Sequence, residues 1–198
     1  VCPVLVLRFC VASCHGYMAM LLSAFFGPIA VSSFAMSETA IGLIYAAYPA
    51  GVGLASIMAV TVGSRFRARF VIVCGTLVTS TLSTCFSFAP DVAPMPFLPW
   101  LLVAIQFANG IFGSSASIAC TRQCVAAFPH RPSISSSIRL VETVATVVAP
   151  LVGGVACEAA HGLWGNEAPA RRLPSLLQAV LSAAMLPIAL YVPLSTLP

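Results

Sequence analysis

The sequence predicts an all-α membrane protein, a single bundle of six transmembrane helices, and three observations carry that expectation. The 198 residues are 60% hydrophobic and only 7% charged, with a mean hydropathy of +1.02. A soluble domain needs about 25% charged residues to face water. The few charges also leave long gaps: none lies between Arg8 and Glu38, Glu38 and Arg65, Arg69 and Asp91, Asp91 and Arg122, or after Arg172. Each gap holds about 20 residues or more, the length a helix needs to cross the hydrocarbon core. A sixth run, Leu140 to Cys157, contains one acid, Glu142. Lastly, the basic residues sort by side. With a cytoplasmic N-terminus, Arg8, Arg65, Arg67, Arg69, Arg122, Arg131 and Arg139 lie inside and only Arg171 and Arg172 outside, the asymmetry of the positive-inside rule.

Taken in order, the spans fall near 8–31, 40–62, 70–89, 98–121, 137–158 and 174–195. The first is too long for a signal peptide and is followed by five similar segments. It carries His15 and Pro28. The second carries Pro49 and small residues at every fourth position, Ala47, Gly51, Ala55 and Ala59. A tight basic turn, residues 63–69, leads to the third span, and a proline-rich outer loop, 90–97, to the fourth. The fourth aligns Asn109, Gly113, Ser117 and Thr121 on one face. An inner loop at 129–136 precedes the fifth span, whose stripe is Ala145, Ala149, Gly153 and Cys157. The longest outer loop, 159–173, precedes the sixth, which is interrupted by Pro187 and Pro193. Lipid supplies no hydrophobic drive between helices, so close approach through small residues holds such bundles together. Prolines are tolerated where neighbours or water satisfy the freed carbonyls. The chain begins at Val1 and ends in an apolar segment, so a fragment or an incomplete gene model is the expectation.

Several chemistries are excluded by what is missing. All nine basic residues are arginine, and without lysine there is no P-loop and no Schiff-base chemistry. An intramembrane serine protease would need a histidine facing "GSSA", Gly113 to Ala116, from another helix; His130 and His161 are expected in loops and His15 lies on the first span. The serines are read as packing residues, and no enzymatic activity is expected. Cys10/Cys14 and Cys120/Cys124 are spaced i, i+4, but no CxxC pair exists and no histidine joins them. They are read as small apolar residues, so neither metal nor cofactor is expected. No aromatic interleaving or soluble module accompanies the arginines, which argues against nucleic acid as a partner.

The polar side chains expected within the membrane are His15, Gln106, Asn109 and Glu142. Such groups are costly in lipid and tend to face a cavity or a partner. Gln106 and Asn109, i and i+3 near mid-depth, suit either hydrogen bonds to a solute or bonds between helices. Glu142 lies about a turn and a half from the inner end of the fifth span, with Arg139 at i−3. It suits either a structural ion pair at the rim or a coupling role for a proton or cation. His15 suits either a titrating group or a structural one.

Three stretches resemble the N-terminal half of a major facilitator superfamily transporter. "VTVGSRFRAR", Val60 to Arg69, sits where that family has Gly-x-x-x-Asp-Arg-x-Gly-Arg-Arg; Arg65 and Arg69 match, while Val60, Ser64 and Arg67 replace glycine, aspartate and glycine. "QFANG" keeps Gly110 of an Arg-x-x-x-Gly pattern and puts Gln106 in the arginine's place. "ATVVAPLVGG" follows the Gly-x-x-x-Gly-Pro-x-x-Gly-Gly signature of the antiporter branch, with Ala145 and Ala149 for the first two glycines and Pro150, Gly153 and Gly154 kept. "IGLIYAAYPAGVGLAS" and "AFP" look most like the vesicular amine and polyamine branch. The resemblance implies secondary active transport of a small organic solute, cationic in that branch and proton-coupled, by alternating access. It also implies a second six-helix half, in the same full-length chain or as a dimer, since the family normally has twelve helices. The helix-five signature would then seal two bundles rather than touch solute. The weakened basic turn leaves open a six-helix membrane scaffold, or a half-size remnant that needs a partner.

Overall fold

The structure, a computed structural model, describes residues 26–61, 65–128, 133–165 and 167–191. These form six helices: α1 Phe26–Phe34, α2 Glu38–Thr61, α3 Ala68–Val92, α4 Leu98–Ala127, α5 Ser133–Trp164 and α6 Glu167–Tyr191. Five, α2 to α6, are long and apolar enough to cross a membrane. Most of the expected first span lies outside the described residues, and α1 is its nine-residue end.

Local chemistry sets the helix ends. Ala35, at φ 47°, adopts the left-handed conformation that closes α1, and the Met36 N–H donates to the Ala30 carbonyl at 3.1 Å. Ser37 then caps α2, its Oγ accepting from the Ala40 N–H at 3.2 Å, and Glu38 sits at the positive end of the helix dipole. Pro99 opens α4, where its missing N–H has no cost.

Several helices outrun the expected spans. α4 continues beyond 121 to Ala127, and α5 begins at Ser133 rather than 137 and runs beyond 158 to Trp164. The expected long outer loop is therefore mostly helix. It narrows to a break at Gly165, φ +59°, whose N–H donates to the His161 carbonyl at 2.8 Å. His161 belongs to the last turn of α5, not to a loop. Hydropathy ends where the lipid ends, but helix hydrogen bonding continues into water wherever alanine and other good formers allow.

α4 is the spine of the bundle. It packs along α2 on one side and α3 on another; α3 packs in turn along α6, and α6 lies against α5. The α2–α4 crossing is backbone to backbone. A Cβ at Gly51 would strike the Phe107 carbonyl and come within 3.0 Å of the Gly110 Cα; a Cβ at Gly110 would strike the Tyr48 carbonyl. Gly75 plays the same part between α3 and α4, where a Cβ would lie 2.7 Å from the Phe112 carbonyl. Glycine has no side chain to keep helices apart, so dispersion acts across the closest possible contact.

Two apolar clusters bracket the bundle. One gathers Ile41, Ile44, Phe86, Ala89, Leu98 and Leu102 at the end away from the Arg65–Arg69 turn, where Phe26 of α1 packs on Phe86 with ring centroids 5.6 Å apart. The other gathers Ile72, Cys120, Cys124, Ile138 and Ala189 at the arginine end. Large apolar side chains outside the clusters, such as Leu151 (68% exposed) and Trp100 (66%), point outward. On a water-soluble protein that would be an aggregation surface; on membrane-spanning helices it is the face for lipid.

Opposite the arginine turn, Arg172 of α6 reaches Asp91 of α3 at 2.7 Å, with both side chains about 30% exposed, and its guanidinium lies 5.0 Å from the Phe88 ring. A pair this exposed contributes at most about 1 kcal/mol. Asp91→Asn should therefore shift the thermal midpoint of the purified protein only slightly. A collapse of the fold would show that this clamp matters far more than its exposure implies.

Candidate functional site

Between the two apolar clusters lies a layer of buried polar side chains. On α4 it includes Gln106 (5% exposed) and Asn109 (1%), with Ser114 and Ser117; on α3, Thr76, Thr79 and Ser83; on α6, Gln178 and Ser182. The sequence spacing explains the α4 contribution, since residues three and four apart share a helix face. The Gly51–Gly110 contact fixes how α4 is turned, because any rotation would drive a side chain into the α2 backbone.

Asn109 is the sharpest feature of the layer. Neither its Oδ1 nor its Nδ2 has a hydrogen-bond partner, although the residue is buried. An unmet buried polar atom costs about 1–3 kcal/mol, so its retention at mid-depth needs a reason. Gln106, one turn away on α4, is buried in the same layer.

Glu142 forms a second group. The Ser117 Oγ donates to its Oε1 at 3.3 Å, and Arg139 Nη1 donates to its Oε2 at 3.2 Å. Tyr48, a buried phenol on α2, lies within electrostatic range of the carboxylate. The salt bridge is lopsided: the Arg139 side chain is 84% exposed and that of Glu142 14%. Because α5 begins at Ser133, Glu142 is nine residues into the helix, about 13 Å from its start. Its place in the apolar stretch, six residues in from Ser136, stays near the turn and a half of the expected span.

The structure thus joins Glu142 to Arg139 and Ser117, and keeps Gln106 and Asn109 together on α4. Asn109 and Ser117 are eight residues apart, about 12 Å along the axis, so the two groups are neighbours rather than one cluster. His15 lies outside the described residues. Arg65 is exposed in the α2–α3 turn and Arg69 in the first turn of α3. Gly110 has a packing position, against Tyr48 and Gly51. On α5, Ala149 and Gly153 are buried and Ala145, Pro150, Gly154 and Cys157 are half-buried, while Val147, Leu151 and Val155 point outward. The small stripe is therefore the inward face of α5. Nothing lies within 4 Å of where a Gly154 Cβ would be.

The sequence reading passes over Gln178. It is completely buried on α6, where its Nε2 donates to Ser182 Oγ at 2.9 Å and its Oε1 has no partner. The signal was present as an amide in a run without charges. Thr79 and Ser114, whose hydroxyls are also unpartnered, could not be told from the many hydroxyls that bond their own helix.

The family model of the Major Facilitator Superfamily matches residues 8–197. No curated protein and no solved structure matches the chain.

Proposed function

Because the chain belongs to the Major Facilitator Superfamily, whose members transport solutes across membranes, we propose that it serves secondary active transport of a small organic solute by alternating access. The observation that carries this reading is Asn109, whose amide offers a donor and an acceptor at mid-depth and spends neither within the protein. Gln106 lies one turn away in the same buried layer, and these two, with His15, are the proposed solute contacts.

The energy source in this reading is a proton gradient, with Glu142 as the coupling carboxylate and Arg139 its partner in one of the two states. The likeness of the α2 entry and of "AFP" to the vesicular amine and polyamine branch supports an amine as solute. The weight of arginine at one end supports a cytoplasmic N-terminus and a cytoplasmic Arg65–Arg69 turn. The outward apolar face of α5, from Leu140 and Val144 through Val155, suits either lipid or a second six-helix half, which the proposed mechanism requires. Pro150, Gly153 and Gly154 serve packing and bending of α5 as the halves rock.

Ser64 and Gln106 stand where the family usually has aspartate and arginine, and they favour a second reading, a non-transporting scaffold. Uptake separates the two. Proteoliposomes carrying the complete protein should accumulate at least one amine when a proton gradient is imposed. Failure across a broad panel of amines and organic anions would remove the transport reading in favour of the scaffold.

A further inference from the structure

We propose that the arginine end of the bundle holds anionic phospholipid, through Arg65, Arg67 and Arg69 around the start of α3 and Arg122 near the end of α4. The inference needs only that the helices span a membrane. It is independent of which solute, if any, the chain carries.

The positive charge at this end is unmet. Arg65 and Arg67 are exposed in the α2–α3 turn, and Arg69 and Arg122 are exposed on their helices. None of the four guanidinium groups has an ion-pair or hydrogen-bond partner among the described residues. The sequence has no acid between Glu38 and Asp91, or between Asp91 and Glu142. Glu38 and Asp91 sit at the opposite ends of α2 and α3, and Glu142 is engaged by Arg139. The contrast with the other end is sharp, since Arg172 there has Asp91 at 2.7 Å.

Depth identifies what these arginines meet. Arg69 is three residues from Ile72, and Arg122 is two from Cys120 and two from Cys124; Ile72 and the two cysteines pack in one apolar cluster. Arg69 and Arg122 therefore stand at one level of the bundle, each within about 5 Å of that cluster along its own helix. Both lie inside apolar spans, Arg69 in Ala68–Val92 and Arg122 four residues short of the end of Leu98–Ala126. Their neighbours are apolar and turned outward: Phe66 is 54% exposed, Phe70 59% and Val125 47%. Apolar side chains so placed settle in lipid, while long arginines among them reach to the headgroup level.

Charge and depth together select the ligand. An acidic protein in water would meet the arginines but leave Phe66, Phe70 and Val125 uncovered. A phospholipid supplies both halves in one molecule: acyl chains for the apolar side chains and a phosphate for the guanidinium. The planar guanidinium donates two parallel N–H bonds to a phosphate, a match of geometry as well as charge. A choline headgroup carries its own positive charge and would oppose the unpaired arginines. A lipid of net negative charge, such as phosphatidylglycerol, is therefore preferred, as basic clusters beside transmembrane helices generally prefer it.

The test places the purified full chain in phosphatidylcholine vesicles with a trace of spin-labelled phosphatidylglycerol or spin-labelled phosphatidylcholine. The reading is the fraction of each label immobilised at the protein. Wild type should hold phosphatidylglycerol about fivefold more strongly or better, the factor that one basic residue contributes at a bilayer surface. Glutamine at Arg65, Arg67 and Arg69 together should bring the ratio close to one, and lysine at the same three positions should keep most of it. Arg122→Gln alone should lower the ratio in part, and Arg172→Gln, at the other end, should leave it unchanged. Inorganic phosphate should not displace the label, because it has no acyl chains. Equal immobilisation of the two labels by wild type, full selectivity in the triple glutamine variant, or displacement by inorganic phosphate would each overturn the proposal. Should the triple variant fail to fold, the single glutamine variants decide, and selectivity undiminished in all of them would overturn it.

Discussion

Gly110→Ala should cripple the folded protein, while Gly154→Ala should be silent or mildly stabilising. The two substitutions are chemically identical, and intrinsic propensity favours alanine in both helices by about 1 kcal/mol. What differs is the space. At Gly110 the new methyl meets the Tyr48 carbonyl and the Gly51 Cα, both backbone, so relief requires α2 and α4 to separate along their length. At Gly154 it meets nothing within 4 Å. Overpacking costs about 1–3 kcal/mol even where side chains can yield, and total stability is about 5–15 kcal/mol. The loss would show in the yield of monodisperse protein and in its thermal midpoint. Gly51→Ala should match Gly110→Ala, because the two glycines meet at one crossing. Tolerance at Gly110 would mean that α2 and α4 do not pack as described.

Glu142→Gln should abolish solute accumulation driven by a proton gradient while leaving solute exchange without a gradient largely intact. Arg139→Gln should reduce accumulation only slightly. The asymmetry follows from burial. The Arg139 side chain is 84% exposed, and water and salt screen what it contributes. Glu142 is mostly buried, accepts from Ser117 and sits in electrostatic range of Tyr48, so removing its charge alters the site itself. A loss of gradient-driven accumulation of about tenfold or more corresponds to roughly 1.4 kcal/mol or more of coupling. Equal loss of folding in both variants would instead make the pair a structural clamp.

Much of the architecture was legible because membranes impose a harsh rule: apolar stretches must be long and their backbone internally bonded. The gap between Asp91 and Arg122 marks α4, and the gap between Glu38 and Arg65 marks α2. The ends were less legible. Residues 159–164 carry a glutamate-flanked, histidine-containing segment that reads as loop by hydropathy, yet alanines 159 and 160 keep it helical. The earlier start of α5 lengthens the helix beyond its apolar stretch and leaves the place of Glu142 within that stretch as expected.

Within the layer, Asn109 and Gln106 stand out in any apolar run, and both are buried as a costly polar group in a membrane helix should be. Gln178 was equally visible and simply lacked a companion that drew attention to it. Thr79 was not legible at all. Its hydroxyl differs from that of Thr76 in making no bond to its own helix, which no sequence pattern records. The glycine contacts divide likewise. Gly51 was found in the small-residue stripe of the second span, whereas its opposite, Gly110, entered through a family motif whose structural use, a backbone crossing, only the fold reveals.

The central claim is that the polar face of α4 carries the solute, and the most direct test is gradient-driven uptake by proteoliposomes holding the complete protein, wild type against Asn109→Ala. The account predicts measurable uptake for the wild type and a fall of about tenfold or more in kcat/KM for the variant. That loss corresponds to roughly 1.4 kcal/mol, about what one or two hydrogen bonds to solute contribute, and the thermal midpoint should not fall in parallel. Undiminished uptake by a well-folded Asn109→Ala protein would contradict it.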